Sequence, residues 1–187
     1  MLPPFRTARL SMSRLGLRDV PGVCVLFASP AVTEWIDLHG RNGLSIKMAK
    51  ALIVSQEPAR RNLFGVRTAD ETLAGAMLFK LLPSRDIEIG YVFGVDHQGK
   101  GYATEALRGM LEQFSVHAHL AEHRVVAQAQ PNNKPSINVL RKAGFRPTHY
   151  EGIRHGRIGF AFERTSIAGG LDALGSNSVE PAGCEWR

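Results

Sequence analysis

Residues 95–111 read VDHQGKGYATEALRGML, a glycine-rich loop set directly between two segments of different periodicity. Before it, DIEIGYVFGV (86–95) alternates as a strand does, with Glu88, Gly90 and Val92 on one face and Ile87, Ile89 and Tyr91 on the other. After it, Ala103, Ala106, Leu107, Met110, Leu111 and Phe114 recur at i, i+3, i+4, i+7, i+8 and i+11, the single apolar stripe of an amphipathic helix. A helix N-terminus carries unpaired N–H groups and a partial positive charge of roughly half a unit. Gly99 and Gly101 remove the side chains that would keep a phosphate from those donors, Lys100 adds a full charge, and Gln98 adds an amide. The piece suits a pyrophosphate, and it equally suits a tight strand-to-helix turn. Two other nucleotide sites fit less well. The loop lacks the G-x-x-x-x-G-K-[ST] pattern, and Thr104 stands where a dinucleotide fold wants a third small residue.

Working outward, NLFGVRTA (62–69) and TLAGAMLFKLL (72–82) predict two strands that run into the third as an antiparallel meander. Further upstream, ARLSMSRL (8–15) predicts a first strand. The segment 19–36, broken by Pro21 and Pro30, predicts two short helices, and Ser45 caps another running to about Gln56. Downstream, HRVVAQAQ (123–130) predicts a strand and SINVLRKAG (136–144) a short helix ending at Gly144. Two short strands, about 145–154 and 157–164, complete the pattern. Strand, helix, strand across the loop implies a right-handed parallel crossover inside a mostly antiparallel sheet, hence an α+β class.

Length fits one domain over residues 1–164, with a Gly/Ser-rich tail at 165–187 expected to be mobile. Asp172, Glu180, Glu185 and Arg187 give that tail a net charge of −2, so of the chain's +6 the body carries +8. Such a body attracts anions, a phosphate-rich cofactor among them. Its basic residues are scattered, so nucleic acid is not the expected partner. No apolar run is long enough to span a membrane and the start, MLPPFRTARL, lacks a secretory apolar stretch, so the cytoplasm is expected. Cys24 and Cys184 have no neighbouring ligand at metal spacing, and only His117 and His119 lie two apart; no metal is expected.

Gln98-Gly99-Lys100-Gly101-Tyr102-Ala103 resembles the acetyl-CoA loop of the GNAT superfamily of N-acetyltransferases. IEIGYVF before it and TEAL after it look like the RimJ and RimL type, which acetylates ribosomal-protein N-termini. TARLSMSRLGLRD (7–19) with FASPAVTEWI (27–36) is similar to that branch's opening strand and helix, and NKPSINVLRKAGF (133–145) to its Asn-x-x-Ser segment. The resemblance spans roughly residues 6–164. It implies a three-layer fold with helices on both faces of the sheet, a monomer or homodimer, and transfer of an acetyl group from acetyl-CoA to a primary amine, either a protein N-terminus or a small molecule.

By the same resemblance, backbone groups of Phe93, Gly94 and Val95 hold the pantetheine arm, the Gln98–Ala103 loop holds the pyrophosphate, and Asn133 touches the arm. Asn133 also reads as a helix N-cap. Many members carry a tyrosine four residues before the Gly of the last Gly-Phe, as acid for the leaving thiolate; Leu140 stands there, and the branch offers Ser136 as a hydrogen-bond donor instead. Glu88 matches a carboxylate that takes the amine proton through water, with Glu34 and Glu151 in reserve. The early helices around Trp35 to His39 and the 145–160 segment would border the acceptor. A CoA-binding sensor without catalysis is the alternative.

Overall fold

A computed structural model describes residues 2–36, 43–57, 60–150 and 153–162. The predicted first strand is a hairpin: β1 (Phe5–Arg6) turns through Thr7 to Leu10 into β2 (Ser11–Arg14), closed by the Thr7 N–H to Leu10 O bond of 2.9 Å. A single 3-10 turn leads into α1 (Val20–Leu26), and α2 (Pro30–Thr33) follows; each has a proline in its first turn, Pro21 second in α1 and Pro30 first in α2, where the missing N–H costs nothing. Ser45 accepts the Met48 N–H (3.3 Å) and caps α3 (Ile46–Val54) as expected. The meander is β3 (Arg61–Arg67), β4 (Leu73–Leu81) and β5 (Ile87–Phe93).

After the loop come α4 (Tyr102–Val116) and one further turn, α5 (Ala118–Ala121), which the periodicity did not mark. β6 (Val125–Ala129), α6 (Lys134–Lys142), β7 (Phe145–Pro147) and β8 (Ile158–Phe162) finish the described chain. β7 is shorter than the sequence suggested, and β8 reaches the last of the described residues. Gly144, at φ +95°, closes α6 in the left-handed conformation that favours glycine.

The sheet order is β1-β2-β3-β4-β5-β6-β8-β7, and β5–β6 is its parallel pair, as the crossover requires. Helices cover both faces. On one, Ile89 and Phe93 pack with Leu107, Met110 and Phe114 of α4 and Ile137 and Leu140 of α6. On the other, Leu63 and Ala76 pack with Val23 and Leu26 of α1 and Ala49 and Ile53 of α3. Full burial of one such large side chain is worth about 1.5–3 kcal/mol, so the α4 stripe alone fixes the helix on the sheet. α4 lies close to the β1–β2 turn at Gly109, where a Cβ would stand 2.6 Å from Thr7 Cγ2. The expected boundary at residue 164 and the tail beyond it lie outside the described residues.

Candidate active site

β5 and β6 pair at two positions only, Ile87 with Val125 and Glu88 with Val126, although both strands continue. Their starts are tied together: the Ile87 N–H donates to Arg124 O at 2.8 Å, and the Arg124 guanidinium grips Asp86 at 3.1 and 2.7 Å. Past Glu88 the strands part, and β6 goes on pairing only with β8. Backbone groups alternate sides along a strand. Those of Tyr91 and Phe93 therefore face the opening, as Ile87's do, with no strand opposite them. Gly94 points the other way and donates to Ala74 O of β4 at 3.0 Å. Val95 begins a 3-10 turn (Val95–His97). Of the three residues assigned to the pantetheine arm, Phe93 is the one whose backbone faces the gap, and Tyr91 joins it.

The loop stands at the wide end of this gap. Gln98 turns its amide inward and donates to Phe93 O at 3.0 Å, bracing the strand end. Gly99 (φ +72°) and Gly101 (φ +80°) are left-handed, and Gly101 is the N-cap of α4. A Cβ at Gly99 would meet no atom within 4 Å, so that face of the loop is open to a ligand. The N–H groups of residues 99–103 find no acceptor among the described residues, as a first helical turn dictates. These features fit a pyrophosphate.

An ion pair from the far end of the chain holds the loop. Arg9 donates to Lys100 O (3.0 Å) and to Glu105 (2.6 Å), with its guanidinium 4.8 Å above the Tyr102 ring. Glu105 also accepts from the Arg9 N–H (2.8 Å) and Thr7 Oγ1 (2.6 Å). Burial works to raise the Glu105 carboxyl, but the bonds from Thr7 and Arg9 and the Arg9 charge together hold it below the ordinary carboxylate range. Nothing within ninety residues of Arg9 signalled this contact in the sequence. A groove of about 620 Å³ opens beside the start of α4, lined by Thr7, Arg9, Thr104, Arg108 and Lys142. Glu88, Tyr91 and Ser136 do not border it.

Asn133 caps α6, its Oδ1 accepting the Ser136 N–H at 3.0 Å. Ser136 Oγ lies 2.9 Å from Tyr91 Oη, which also reaches Ser136 O at 3.0 Å. Burial pushes the Tyr91 phenol up to about 12, against the opposing effect of the Ser136 bond. Leu140 is 1% exposed and belongs to the core.

Glu88 sits on the opposite face of the sheet, at the last rung before the strands part. Its Oε1 accepts from Gln128 Nε2 and from Tyr150 Oη (3.3 Å), and Gln128 in turn accepts the Arg154 N–H at 3.1 Å. Tyr150 is 3% exposed. Burial first, then the Glu88 charge, drive its phenol upward, so it remains a donor. Gln128, a polar residue within the apolar strand VVAQA, was the one visible hint of this cluster. Glu34 closes α2, and the Trp35 carbonyl accepts from Arg157 at 3.5 Å. Glu151 and His39 lie outside the described residues.

An open gap between parallel strands, a donor loop at its wide end and a carboxylate at its apex agree with comparisons to known proteins. A profile for the acetyltransferase (GNAT) domain matches residues 9–146. The chain belongs to the GNAT family of acetyltransferases. It is 28% identical over 147 residues, 75% of this chain and 80% of the other, to an uncharacterized N-acetyltransferase, p20, of Bacillus licheniformis. A ribosomal protein uS5-alanine N-acetyltransferase of Escherichia coli is 28% identical over 94 residues, 50% of this chain and 44% of its own length. Among solved structures, a GNAT-family acetyltransferase from Bacillus anthracis superposes with a TM-score of 0.72 at 25% identity, over 85% of this chain and 97% of that one. The chain is therefore an enzyme, and acetyltransferases of this family use acetyl-CoA.

Proposed function

We propose that this acetyltransferase moves the acetyl group of acetyl-CoA onto a weakly basic primary amine, a protein N-terminus before a lysine or polyamine. The observation that carries the reading is the pairing of Glu88, at the apex of the strand gap, with the free donors of the 99–103 loop at its mouth. Acetyl-CoA, when bound, supplies an activated acetyl thioester. The loop N–H groups and Lys100 hold its pyrophosphate, while backbone groups of Tyr91 and Phe93 line the arm and present donors to the thioester oxygen. Asn133 shapes the mouth by capping α6. Glu88 takes the proton of the attacking amine, through water, on one face of the sheet. Ser136 offers its hydroxyl to the leaving sulfur on the other.

Energetics favour the acceptor class. An α-amine titrates near 7.7–8.0, so freeing it of its proton at pH 7 costs about 1–1.4 kcal/mol, against about 4.6 for a lysine. A carboxylate acting through water suffices for the first. The similarity to a uS5-alanine acetyltransferase supports the same choice and the RimJ- and RimL-like reading, though it covers half of this chain.

Calorimetric titration with acetyl-CoA, followed by thiol release against N-terminal peptides and small amines, tests the reading. Release that depends on peptide α-amines is the expected result. Release with polyamines alone would overturn the acceptor class. Tight binding without release from any amine would favour the sensor alternative.

A further inference from the structure

Four glycines stand inside the described strands: Gly65 in β3, Gly75 in β4, Gly90 in β5 and Gly159 in β8. Three of them are crowded. A Cβ at Gly65 would come to 2.6 Å from Leu15 Cδ2, one at Gly75 to 2.5 Å from Val92 O, and one at Gly159 would overlap the Ile153 side chain. At Gly90 a Cβ would meet no atom within 4 Å, and the residue does not have a positive φ. Neither packing among the described residues nor backbone conformation asks for glycine there. A glycine also weakens the strand that holds it, so one that the fold does not require marks a place where something else approaches.

Its neighbours say what approaches. Along β5 the missing side chain lies between Glu88 and Val92 on one face. On the β4 side Gly90 pairs with Leu78, which packs with Val92 against the apolar cluster of α1 and α3. On its other side is the strand gap. There Gln128 stands two residues past Val126 as Gly90 stands two past Glu88, and its amide donates to Glu88. The space therefore has an apolar wall, Leu78 and Val92, and a polar one, Glu88 and Gln128. We propose that it is the side-chain subsite of the acceptor: the substituent on the carbon beside the attacking nitrogen lies over Gly90 against Leu78 and Val92, with the nitrogen turned to Glu88. For a protein N-terminus, on which reading this rests, the substituent is the side chain of the first residue. An aliphatic side chain covers the apolar wall, which a first-residue glycine leaves wet, and Gly90 sets how large that side chain can be. The rival is a space kept for water between amine and carboxylate, which would make Gly90 indifferent to the acceptor's side chain.

The test needs no turnover. CoA is joined through its sulfur and a methylene carbonyl to the α-amine of short peptides that begin with glycine, alanine or leucine. Affinities of the conjugates and of CoA are measured by calorimetry for the wild-type chain, Gly90→Ala and Gly90→Val. In the wild type each methyl group that the wall covers should tighten binding about two- to fourfold, so the leucine conjugate binds best and the glycine conjugate least. Gly90→Val should weaken the leucine conjugate by about tenfold or more and the glycine conjugate by about threefold at most, with CoA within about twofold. Gly90→Ala should fall between. A β-branched residue favours a strand and finds open space here, so melting temperatures should hold or rise.

Equal weakening of all three conjugates with CoA unchanged would put water over Gly90 and overturn the subsite. Weakening of CoA to the same degree would make Gly90 part of the gap's own shape, and no weakening at all would leave the space without an occupant; each overturns the proposal. Should Gly90→Val melt below the assay temperature, Gly90→Ala carries the same comparison, and a lowered melting temperature in that variant too would show that the fold itself needs the glycine. If no peptide conjugate binds the wild type more tightly than CoA does, the peptide reading fails. Conjugates of methylamine and sec-butylamine, which differ only in what stands beside the nitrogen, then decide the subsite separately. A preference for the second that Gly90→Val erases would uphold it, and no preference would overturn it.

Discussion

The two halves of the strand gap are built in opposite ways. The half proposed to hold acetyl-CoA, the cofactor half, is nearly continuous in sequence: Phe93 to Ala103 supply strand end, turn, glycines and helix start, and most of its chemistry belongs to the backbone. The half proposed to receive the amine, the acceptor half, is assembled from side chains of distant segments, Glu88 with Gln128 forty residues away and Tyr150 sixty-two away. Backbone donors do not change with mutation except through shape, whereas a side-chain cluster changes atom by atom. The cofactor half should therefore break through conformation and the acceptor half through chemistry.

The largest effect is expected in the acceptor half. Glu88→Gln keeps an oxygen for Tyr150 to donate to but removes the proposed base. Turnover should fall by about 10²–10⁴, the usual range for a positioned base. The acetyl-CoA affinity should stay within about twofold, because the loop is untouched. A loss of affinity matching the loss of turnover would show that the two halves are not separable and that Glu88 supports the gap itself.

That division also explains what the sequence could reveal. The loop, its flanking periods and the crossover were readable because each is local: alternation, helical spacing and glycine punctuation occur within one window. The parting of β5 and β6 was not, since it depends on Arg124 closing on Asp86 at one end and β8 claiming β6 at the other. Ser136 and Glu88 came from resemblance, and the structure places them on opposite faces of the sheet, as strand alternation had placed Glu88 and Tyr91. Tyr150 and Arg9 could not be found by any local rule. The hairpin at 7–10 was read as strand because its apolar alternation continues through the turn.

In the cofactor half, Gly101→Val forces a branched side chain to φ +80° and brings its Cβ to 3.4 Å from Arg9 Nη2. Strain of this kind costs about 1–3 kcal/mol. We expect acetyl-CoA affinity to weaken by about 10²-fold or more, with only a modest fall in melting temperature, read by calorimetry and thermal unfolding. Gly101→Asn, which tolerates the left-handed region, should recover part of the affinity. Micromolar binding retained in the valine variant would remove the cradle reading.

A smaller change sharpens the acceptor side. Tyr150→Phe deletes one buried donor to Glu88 and leaves Gln128 in place. A single such bond is worth about 1 kcal/mol, so kcat should drop by about three- to tenfold. The KM for acetyl-CoA should not move. An equal effect on both substrates would place Tyr150 outside the acceptor half.

The smallest effect tests whether the cofactor half is truly a matter of shape. Glu105 does not face the gap; it holds Arg9, which holds Lys100. Glu105→Gln should weaken acetyl-CoA binding by only about two- to fivefold, as expected for a pair whose arginine is half exposed. Its pH signature is more telling than its size. The folded carboxyl titrates below its ordinary value near 4.3, so its stabilising contribution is complete above that value and disappears as pH falls through the lower, folded one. The wild-type melting temperature should consequently drop more steeply than that of Glu105→Gln on acidification below about pH 4.3. The two curves should approach each other at the acid end, where the wild-type carboxyl is neutral too. Parallel curves would mean that Glu105 braces the loop by geometry alone, and that its charge contributes nothing to the cradle.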